Sequence, residues 1–399
     1  MKRRTKQIGT GGGIVTSYAK KLVNKVLDSG RLSYGPYLKQ FEREFARLHD
    51  RRFGISVSSG TSALLVSLQA FKEREGWKDG DEVIVPALTF VATSNVIVQN
   101  GLTPVFVDVD PTTANIDPQK IEEKITPRTR AIMPVHLFGL SAEMDAVMRI
   151  AKKYNLRVIE DSCETVGVRY RGKPVGSLGD FACYSTYMAH IVTTGVGGVI
   201  LTNDPDLAVR ARSLVNHGRD AIYISMDDDK GKRGKELEEV IGRRFSFVSV
   251  GHSYRLTELE GALGIAQLAF LKKNLATRAR NAAYLLKALA PYKKQLQLPV
   301  WPPYAEHAFM MFPIVVRDPD VDPQKLMAHL EQWNIETRPL FPLVDQPVYK
   351  KLFGDILHKY PVAAHLNKNG FFIGCHVELG KKDLEYIIQV FRAFFRKKQ

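Results

Sequence analysis

The sequence has few cysteines and no long apolar segment. Its three cysteines, Cys163, Cys183 and Cys375, are far apart and form no CxxC pair. They therefore give no signature of a metal site, and they suit a reducing compartment. No run of about 18 apolar residues is present, so no membrane span is expected. The basic N-terminal segment MKRRTKQIGTGGG lacks the apolar core of a secretory signal. We expect a cytoplasmic protein with no membrane partner.

Acidic residues are also fewer than basic ones. The chain of 399 residues carries 57 lysines and arginines against 42 acids, a net charge of +15. Such a balance suits a polyanionic partner and is equally consistent with a solvated basic surface. The basic residues are spread along the chain, with short clusters at its ends, and no nucleic-acid-binding motif stands out. We expect no nucleic-acid partner; a phosphorylated small molecule suits this charge.

Apolar segments alternate with segments of helical periodicity along the chain. DEVIVPAL (81–88), TPVFVDVD (103–110) and LRVIEDS (156–162) contain little polar alternation, which indicates a mostly parallel sheet covered by helices on both faces. The length allows two domains. We predict an α/β protein with a large domain over residues 1–272, including an N-terminal arm, and a smaller α+β domain over residues 273–399.

Three further segments carry structural predictions. DPQKIEEKI (117–125) is predicted to be a helix between two strands. The stretch 220–244, which contains MDDDKGKRGKE, is strongly charged and indicates an exposed excursion. The segment 257–289 keeps helical periodicity throughout, and we expect it to connect the two domains.

A glycine turn in front of a helix marks a candidate phosphate site. A short apolar strand ends at Ser58-Ser59-Gly60, and a helix opens at Thr61 and Ser62. Amides in this position attract anions because unpaired N–H groups and the helix dipole point outward. The pattern alone is weak, since serine and threonine also cap helices that bind no ligand.

The stretch DFACYSTYMAHIVTTGVGG (180–198) resembles the cofactor segment of the DegT/DnrJ/EryC1/StrS family of vitamin B6-dependent sugar aminotransferases. The resemblance covers nearly the whole chain, with several separated motifs in the family's order. It implies the PLP-dependent aminotransferase type I-like fold, with pyridoxal 5′-phosphate (PLP) bound at the subunit interface of a homodimer.

The resemblance assigns residues to the two sides of the cofactor ring. TFVATSN matches the segment whose aromatic residue, here Phe90, stacks on the pyridine ring. IEDSCET matches the segment whose aspartate, here Asp161, pairs with the pyridine nitrogen. A carboxylate at that nitrogen keeps it protonated, so the ring can withdraw electrons. Judged from its neighbours alone, Asp161 could instead be a structural residue that caps the loop after its strand.

Other matches concern the cofactor phosphate. Ser185 matches the family's phosphate-binding serine. Asn216-His217-Gly218 matches the family's N-H-G element, although a helix closed by glycine explains it equally well. GHSYRLTELEGALGIAQL matches a segment whose asparagine reaches the phosphate in the neighbouring subunit, and Ser253 occupies that position here. The residues assigned to cofactor binding are Gly60, Thr61, Ser62, Phe90, Asp161, Glu164, Ser185, Asn216 and Ser253.

The most informative departure from the family is a histidine at the cofactor-binding lysine. That lysine, which holds PLP as a Schiff base, falls on His190, and an imidazole cannot form this bond. Glu164 stands where the aminotransferases commonly carry glutamine near the cofactor's 3-oxygen. The family's sugar 3-dehydratases carry an acid there and a histidine at the lysine position. TRPLFPLVDQP and GFFIGCH also resemble that branch, the nucleotide-4-keto-6-deoxysugar 3-dehydratases.

The match to this branch is incomplete. Its members usually read A-H-H-I-T, whereas Ala189 and His190 are followed by isoleucine, valine and threonine, so the second histidine is missing. Val196 replaces the glutamate of the family's G-E-G-G turn. Dehydratases of CDP-sugars carry a cysteine-ligated iron–sulfur cluster, but the corresponding stretch 220–244 contains no cysteine. We therefore expect no iron–sulfur cluster and no metal.

The predicted function is C3 deoxygenation of a nucleotide-diphospho-4-keto-6-deoxyhexose, with His190 as the catalytic residue. The resemblance implies that PLP or pyridoxamine 5′-phosphate (PMP) is bound noncovalently and that an amino donor such as glutamate supplies PMP. Two alternatives remain open. One is a nucleotide-sugar aminotransferase whose lysine is replaced by His190. The other is a catalytically silent homologue that binds a nucleotide-sugar, with His190 as a structural residue of a turn.

Overall fold

The computed structural model describes residues 3–224, 227–340 and 343–396. Nine short strands come first along the chain: β1 (Phe53–Val57), β2 (Glu82–Pro86), β3 (Thr103–Val107), β4 (Thr129–Ile132), β5 (Arg157–Asp161), β6 (Arg169–Tyr170), β7 (Lys173–Pro174), β8 (Phe181–Ser185) and β9 (Gly198–Thr202). Seven of them form one sheet in the order β1-β9-β8-β5-β4-β2-β3, and β6 pairs with β7 separately.

The large sheet is mostly parallel. Only β9 runs antiparallel to its neighbours β1 and β8, while the other four pairs are parallel. The strands are almost entirely buried, as their continuous apolar sequences predict. The α/β class and the mostly parallel sheet are therefore confirmed.

Eight helices belong to the same part of the chain: α1 (Ser17–Ser29), α2 (Pro36–Leu48), α3 (Gly60–Glu75), α4 (Ala92–Gln99), α5 (Met144–Tyr154), α6 (Pro205–Val215), α7 (Gly234–Arg243) and α8 (Glu258–Leu289). Side-chain caps fix where several of them begin. Thr16 accepts the N–H of Ala19, and Asp204 accepts the first amides of α6. Each cap satisfies a donor that has no partner inside its helix.

A smaller antiparallel sheet follows α8. Its strands are β10 (Leu296–Gln297), β11 (Met311–Val316), β12 (Arg338–Pro339) and β13 (Gly370–Gly374), in the order β10-β11-β13-β12. The helices of this region are α9 (Pro323–Gln332), α10 (Pro347–Phe353), α11 (Pro361–Asn369) and α12 (Lys381–Arg396). Two hydrophobic cores result, and α8 contributes to both. The predicted domain boundary at residue 272 falls inside this helix and stays a prediction.

One segment prediction needs correction. Residues 117–125 form two 3₁₀ turns, Pro118–Lys120 and Glu122–Lys124, rather than a helix. Ile125 already has an extended backbone, so the chain turns into β4 before a third turn can form. The described residues of the charged stretch 220–244 are mostly exposed or half-buried, as predicted. The stretch also contains the helix α7 and ion pairs such as Arg243–Asp220 at 2.6 Å. No helix within the described ranges is both long and apolar enough to cross a membrane.

Candidate active site

A cavity of about 590 Å³ opens at the carboxyl ends of the parallel strands, between the large and the small sheet. This edge is where ligands bind in open α/β sheets. The segments that follow β1, β2 and β5 and the loop between β8 and β9 supply its walls on one side, and Met310, Arg338 and Phe372 supply the other. Seven of the ten predicted site residues line it: Gly60, Thr61, Phe90, Asp161, Glu164, Ser185 and His190.

The N-terminus of α3 forms one end of the cavity. Ser59 caps this helix by accepting the N–H of Ser62 at 3.0 Å, and Ser62 Oγ lies 2.8 Å from Ser59 Oγ. The predicted Ser62 amide is therefore engaged by the cap, and Ser62 does not line the cavity. The amides of Gly60 and Thr61 belong to the first helical turn, which has no carbonyl partners within its own helix. Amides in this position suit an anion, and both residues line the cavity.

Asp161 lies at the end of β5 and points into the cavity from its floor. It is 5% exposed, and its two oxygens accept hydrogen bonds from Thr93 Oγ1 at 2.9 Å and from the Cys163 amide at 3.2 Å. Burial raises the pKa of Asp161, and the hydrogen bonds from Cys163 and Thr93 act in the opposite direction. The exposed ring of Phe90 lies at the cavity wall. The geometry thus offers a carboxylate and an aromatic face to one ligand.

Glu160, the neighbour of Asp161, points to the other side of the strand and is structural. It accepts hydrogen bonds from the amides of Gly176, Leu178 and Gly179, at 3.0, 2.8 and 2.6 Å, and it lies 3.0 Å from His136 Nε2. Desolvation raises its pKa, but these donors and the charges of His136 and Arg51 outweigh that effect and hold the pKa below its ordinary value. Because adjacent side chains of a strand point to opposite faces, Glu160 stabilises the fold while Asp161 faces the cavity.

Glu164 lies one turn beyond Asp161 and is 7% exposed. One of its oxygens accepts the N–H of Phe138 at 2.5 Å. Desolvation raises the pKa of Glu164 to about 8, and the nearby charge of Asp161 acts in the same direction. The cavity therefore contains a carboxylic acid that is mainly neutral at pH 7.

His190 lies on the loop between β8 and β9, where its amide donates to Tyr187 O at 2.9 Å. The ring Nδ1 is 3.4 Å from Ser185 Oγ, so the predicted phosphate-binding serine contacts the imidazole in this structure. Desolvation lowers the pKa of His190 to about 4, and the charge of the buried Arg278 lowers it further. The imidazole is consequently neutral at pH 7 and able to accept a proton.

Asn216 and Ser253 do not line the cavity of their own chain. They pair with each other through a backbone bridge, and Arg255 donates to Asn216 Oδ1 at 2.6 Å and to Ser253 Oγ at 2.8 Å. Their assignment to the cofactor stays a prediction, which for Ser253 refers to the cavity of a neighbouring subunit.

Sequence reasoning missed the contributions of the arm and the small sheet. Thr10 lines the cavity, and its amide donates to Glu336 Oε2 at 2.8 Å. The other oxygen of Glu336 accepts a hydrogen bond from Arg338, a second lining residue. Arg338 and Phe372 lie within TRPLFPLVDQP and GFFIGCH, two stretches that were compared with the family but not assigned to the site. No local signal marks Thr10.

The lining residues fit PLP. The amides at the start of α3 suit a phosphate, Asp161 suits a protonated ring nitrogen, and Phe90 provides a surface for an aromatic ring. Among the described residues there is no group of three or more histidine, cysteine or acidic side chains that could hold a metal ion.

Comparison with known proteins gives a match to the DegT/DnrJ/EryC1/StrS aminotransferase family over residues 15–392. Among curated proteins, the chain is 37% identical over 358 residues to the GDP-perosamine synthase of Caulobacter vibrioides, with 89% of each chain covered.

Solved structures of both functional kinds superpose on the chain. An aminotransferase from Psychrobacter cryohalolentis gives a TM-score of 0.88 at 28% identity and covers 98% of this chain and 99% of its own. The Escherichia coli GDP-4-keto-6-deoxy-D-mannose-3-dehydratase, which contains bound hydrated PLP, gives a TM-score of 0.85 at 28% identity. The superposition covers 97% of this chain and 100% of the dehydratase.

Proposed function

The chain belongs to the DegT/DnrJ/EryC1/StrS aminotransferase family, and from this premise we propose that it is a 3-dehydratase of a nucleotide-diphospho-4-keto-6-deoxyhexose. Membership makes it a PLP-dependent enzyme of the sugar aminotransferase or dehydratase kind. The finer proposal concerns which of the two reactions it catalyses.

One observation carries the proposal: His190 lines the cavity, and no lysine is found among the described residues that line it. A cavity without an amine has no group that can hold PLP covalently. The cofactor is then retained by Asp161, Phe90 and the first amides of α3, in the noncovalent PLP and PMP forms. A neutral imidazole in this place suits a proton transfer and not a covalent bond.

When bound, the cofactor supplies an electron-withdrawing ring that stabilises negative charge on the carbon next to it. The part played by His190 follows from its pKa of about 4. The neutral ring accepts a proton at a ring nitrogen, and the imidazolium that results returns it readily because its pKa is low. We assign that returned proton to the oxygen that leaves C3. With glutamate as amino donor, the reaction balances as 4-keto sugar plus glutamate giving 3-deoxy-4-keto sugar, 2-oxoglutarate and ammonia.

The substrate class follows from the same family context. Names of similar proteins refer to GDP-perosamine and to GDP-4-keto-6-deoxy-D-mannose, so GDP-4-keto-6-deoxymannose is the first substrate to test. Its diphosphate suits the cationic Arg338 at the cavity wall and the net charge of +15.

A second candidate is transamination of the same class of sugar. The observation in its favour is the 37% identity to a GDP-perosamine synthase, against 28% to the superposed 3-dehydratase. In this case glutamate would pass its amine to C4 of the sugar and no oxygen would leave C3.

The deciding experiment replaces His190. His190→Asn removes the base, and we expect deoxygenation to fall by about 10²–10⁴-fold, while PMP binding stays nearly unchanged because Asp161, Phe90 and the α3 amides are intact. His190→Lys restores an amine, and we expect some covalent cofactor attachment and a shift toward aminosugar. The assay follows ammonia release and product mass with PLP, glutamate and the 4-keto sugar.

The matched control is His358→Asn, which changes an exposed histidine of a 3₁₀ turn and is expected to behave as the unaltered protein. An aminosugar as the sole product of the unaltered protein, or normal turnover by His190→Asn, contradicts the dehydratase proposal.

A further inference from the structure

The N-terminal arm, which precedes helix α1, is attached at both ends. Near its start, Ile8 is buried in the core beside the small sheet, and Ile8 O accepts the Glu336 amide at 2.9 Å. Near its end, Ile14 O accepts a hydrogen bond from Gln267 Nε2 of helix α8 at 3.0 Å. The stretch between Ile8 and Ile14 is therefore held from both sides.

This stretch contains the sequence GTGGG (9–13), and it runs against the loop between β8 and β9. A Cβ atom at Gly11 would lie 3.0 Å from Ala189 Cα and 3.2 Å from Ala189 Cβ. A Cβ atom at Gly13 would lie 3.0 Å from Thr193 Oγ1. Contacts this short require a neighbour to move, so the two glycines let the arm pack directly on the loop.

His190 lies between these two contacts. The residues that follow it, Ile191 and Val192, are buried in the core. The residues two and three positions before it, Met188 and Tyr187, are exposed. The side of the loop that precedes His190 therefore has less packing of its own, and the arm contacts it there at the adjacent residue.

Two hydrogen-bonding contacts fix which residue of the arm meets the loop. The Thr10 amide donates to Glu336 Oε2 at 2.8 Å, and Gly9 O lies 3.1 Å from His376 Nε2. Both contacts directly precede Gly11, and both partners belong to the chain around the small sheet. The arm therefore relates the position of the small sheet to that of the loop between β8 and β9.

We propose that the arm positions His190, with Gly11 as a positioning residue whose contact with Ala189 sets where the imidazole stands in the cavity. The inference rests on the proposed role of His190 in proton transfer. A proton passes between groups within hydrogen-bond reach, and a misplacement of about 1 Å costs on the order of 10²-fold in rate. A contact with the adjacent residue therefore acts on the reaction without touching the substrate.

The test adds one methyl group to the arm at two places. Gly11→Ala sets it against the backbone of Ala189, which cannot turn aside as a flexible side chain does, so the loop has to move. Gly9→Ala is the matched control, because a Cβ atom there meets its nearest neighbours at 3.4 Å, an ordinary contact. Neither glycine has a positive φ, so alanine suits both backbones.

Nitrogen-15 NMR of the histidine rings in the apoprotein is the first measurement. Comparison with His190→Asn identifies the signals of His190 among those of the 10 histidines. The shifts of the two ring nitrogens depend on the hydrogen bond and the surroundings of each. We expect Gly11→Ala to shift the His190 signals and Gly9→Ala to leave them in place.

The second measurement is steady-state kinetics of the sugar reaction, whichever product forms. We expect Gly11→Ala to lower kcat and kcat/KM together by about tenfold, because the misplaced imidazole acts in the transition state. The dissociation constant of PLP should stay nearly unchanged, since the added methyl group meets Ala189 and not Asp161 or the start of α3. Gly9→Ala should match the unaltered protein in all three quantities.

A merely structural contact gives a different result, which is a lower midpoint of urea unfolding with the His190 signals and kcat of Gly9→Ala. That result overturns the proposal. If Gly11→Ala does not fold, Gly13→Ala places its methyl group against Thr193 Oγ1, which can rotate, and a smaller shift of the His190 signals is expected; unmoved signals overturn the proposal here too. The NMR comparison uses no sugar, so it stands even if the unaltered protein proves not to be a dehydratase.

Discussion

Gly60 packs closely against the loop after β5 and the end of β8. A Cβ atom at this residue would lie 2.7 Å from Cys163 Sγ and 2.8 Å from Ser185 Cβ, and contacts this short force the neighbours to move. Both neighbours are themselves in the cavity wall. The absence of a side chain at residue 60 therefore lets the start of α3 approach the loop after β5 and the end of β8, which brings the first amides of α3 to the same cavity as Asp161.

We expect Gly60→Ala to lower the stability of the apoprotein by about 1–3 kcal/mol, the usual cost of overpacking. We also expect it to weaken PLP binding by at least about tenfold, because the added methyl group displaces residues that line the cavity. Urea denaturation and PLP titration measure the two effects. Gly242→Ala is the control, since a Cβ there meets no atom within 4 Å; in helix α7 it should stabilise slightly. Equal PLP affinities for the two variants would show that the close approach is unimportant.

Helices α2 and α8 are joined by one carboxylate. Helix α2 begins at Pro36, which has no N–H, and its N-cap residue Gly35 has no side chain to cap it. Glu258, 1% exposed at the start of α8, accepts the amides of Gly35, Tyr37 and Leu38 at 2.7, 3.0 and 2.9 Å. A residue 220 positions later in the chain thus caps α2 and fixes it against the long helix that connects both cores.

Removal of this cap should destabilise the protein strongly. Glu258→Ala leaves three amides without their acceptor, and we expect a loss of about 3 kcal/mol, while Glu258→Gln keeps one acceptor oxygen and should lose less. Glu260→Ala is the comparison, since Glu260 belongs to the exposed capping box of α8 itself and should cost about 1 kcal/mol. The urea concentration at the midpoint of unfolding of the apoprotein ranks the three variants by stability. A Glu258→Ala protein as stable as Glu260→Ala contradicts the interhelical cap.

Local sequence patterns were sufficient for elements with continuous apolar character and not for contacts over long separations. The strands β2, β3 and β5 and the helix α3 were predictable because their signals lie within a few residues. The helix expected at 117–125 was wrong, because tertiary context limited its two short turns. The cap on α2 could not be predicted, since Glu258 acts far from it in sequence. Thr10 and Arg338 were missed for the same reason, because they reach the cavity only when the N-terminal arm and the small sheet fold against the large sheet.

At the scale of the whole molecule, exposed apolar residues surround the cavity and the segment that precedes Ser253. Val250 is 87% exposed and Phe245 is 75% exposed, while Phe90 at the cavity wall is 55% exposed. Large apolar side chains exposed close together in one segment, as at Phe245 and Val250, favour an interaction site. Ser253, predicted to reach a neighbouring subunit's cofactor, follows directly on the exposed segment. We propose a second copy of the chain as the partner that covers both surfaces.

We predict a C2 homodimer as the smallest unit that binds the cofactor fully, because a two-fold axis gives each subunit the same segment of the other. The double variant Phe245→Asp and Val250→Asp places two charges where an apolar contact is expected. It should be monomeric by light scattering and bind PLP at least about tenfold more weakly, since interfacial contacts of buried aromatic residues carry much of the association energy. The control Leu352→Asp, at a 52% exposed leucine on helix α10, should remain dimeric with unchanged affinity. An unaltered protein that is monomeric at full PLP occupancy contradicts the dimer and, with it, the role of Ser253 in a neighbouring site.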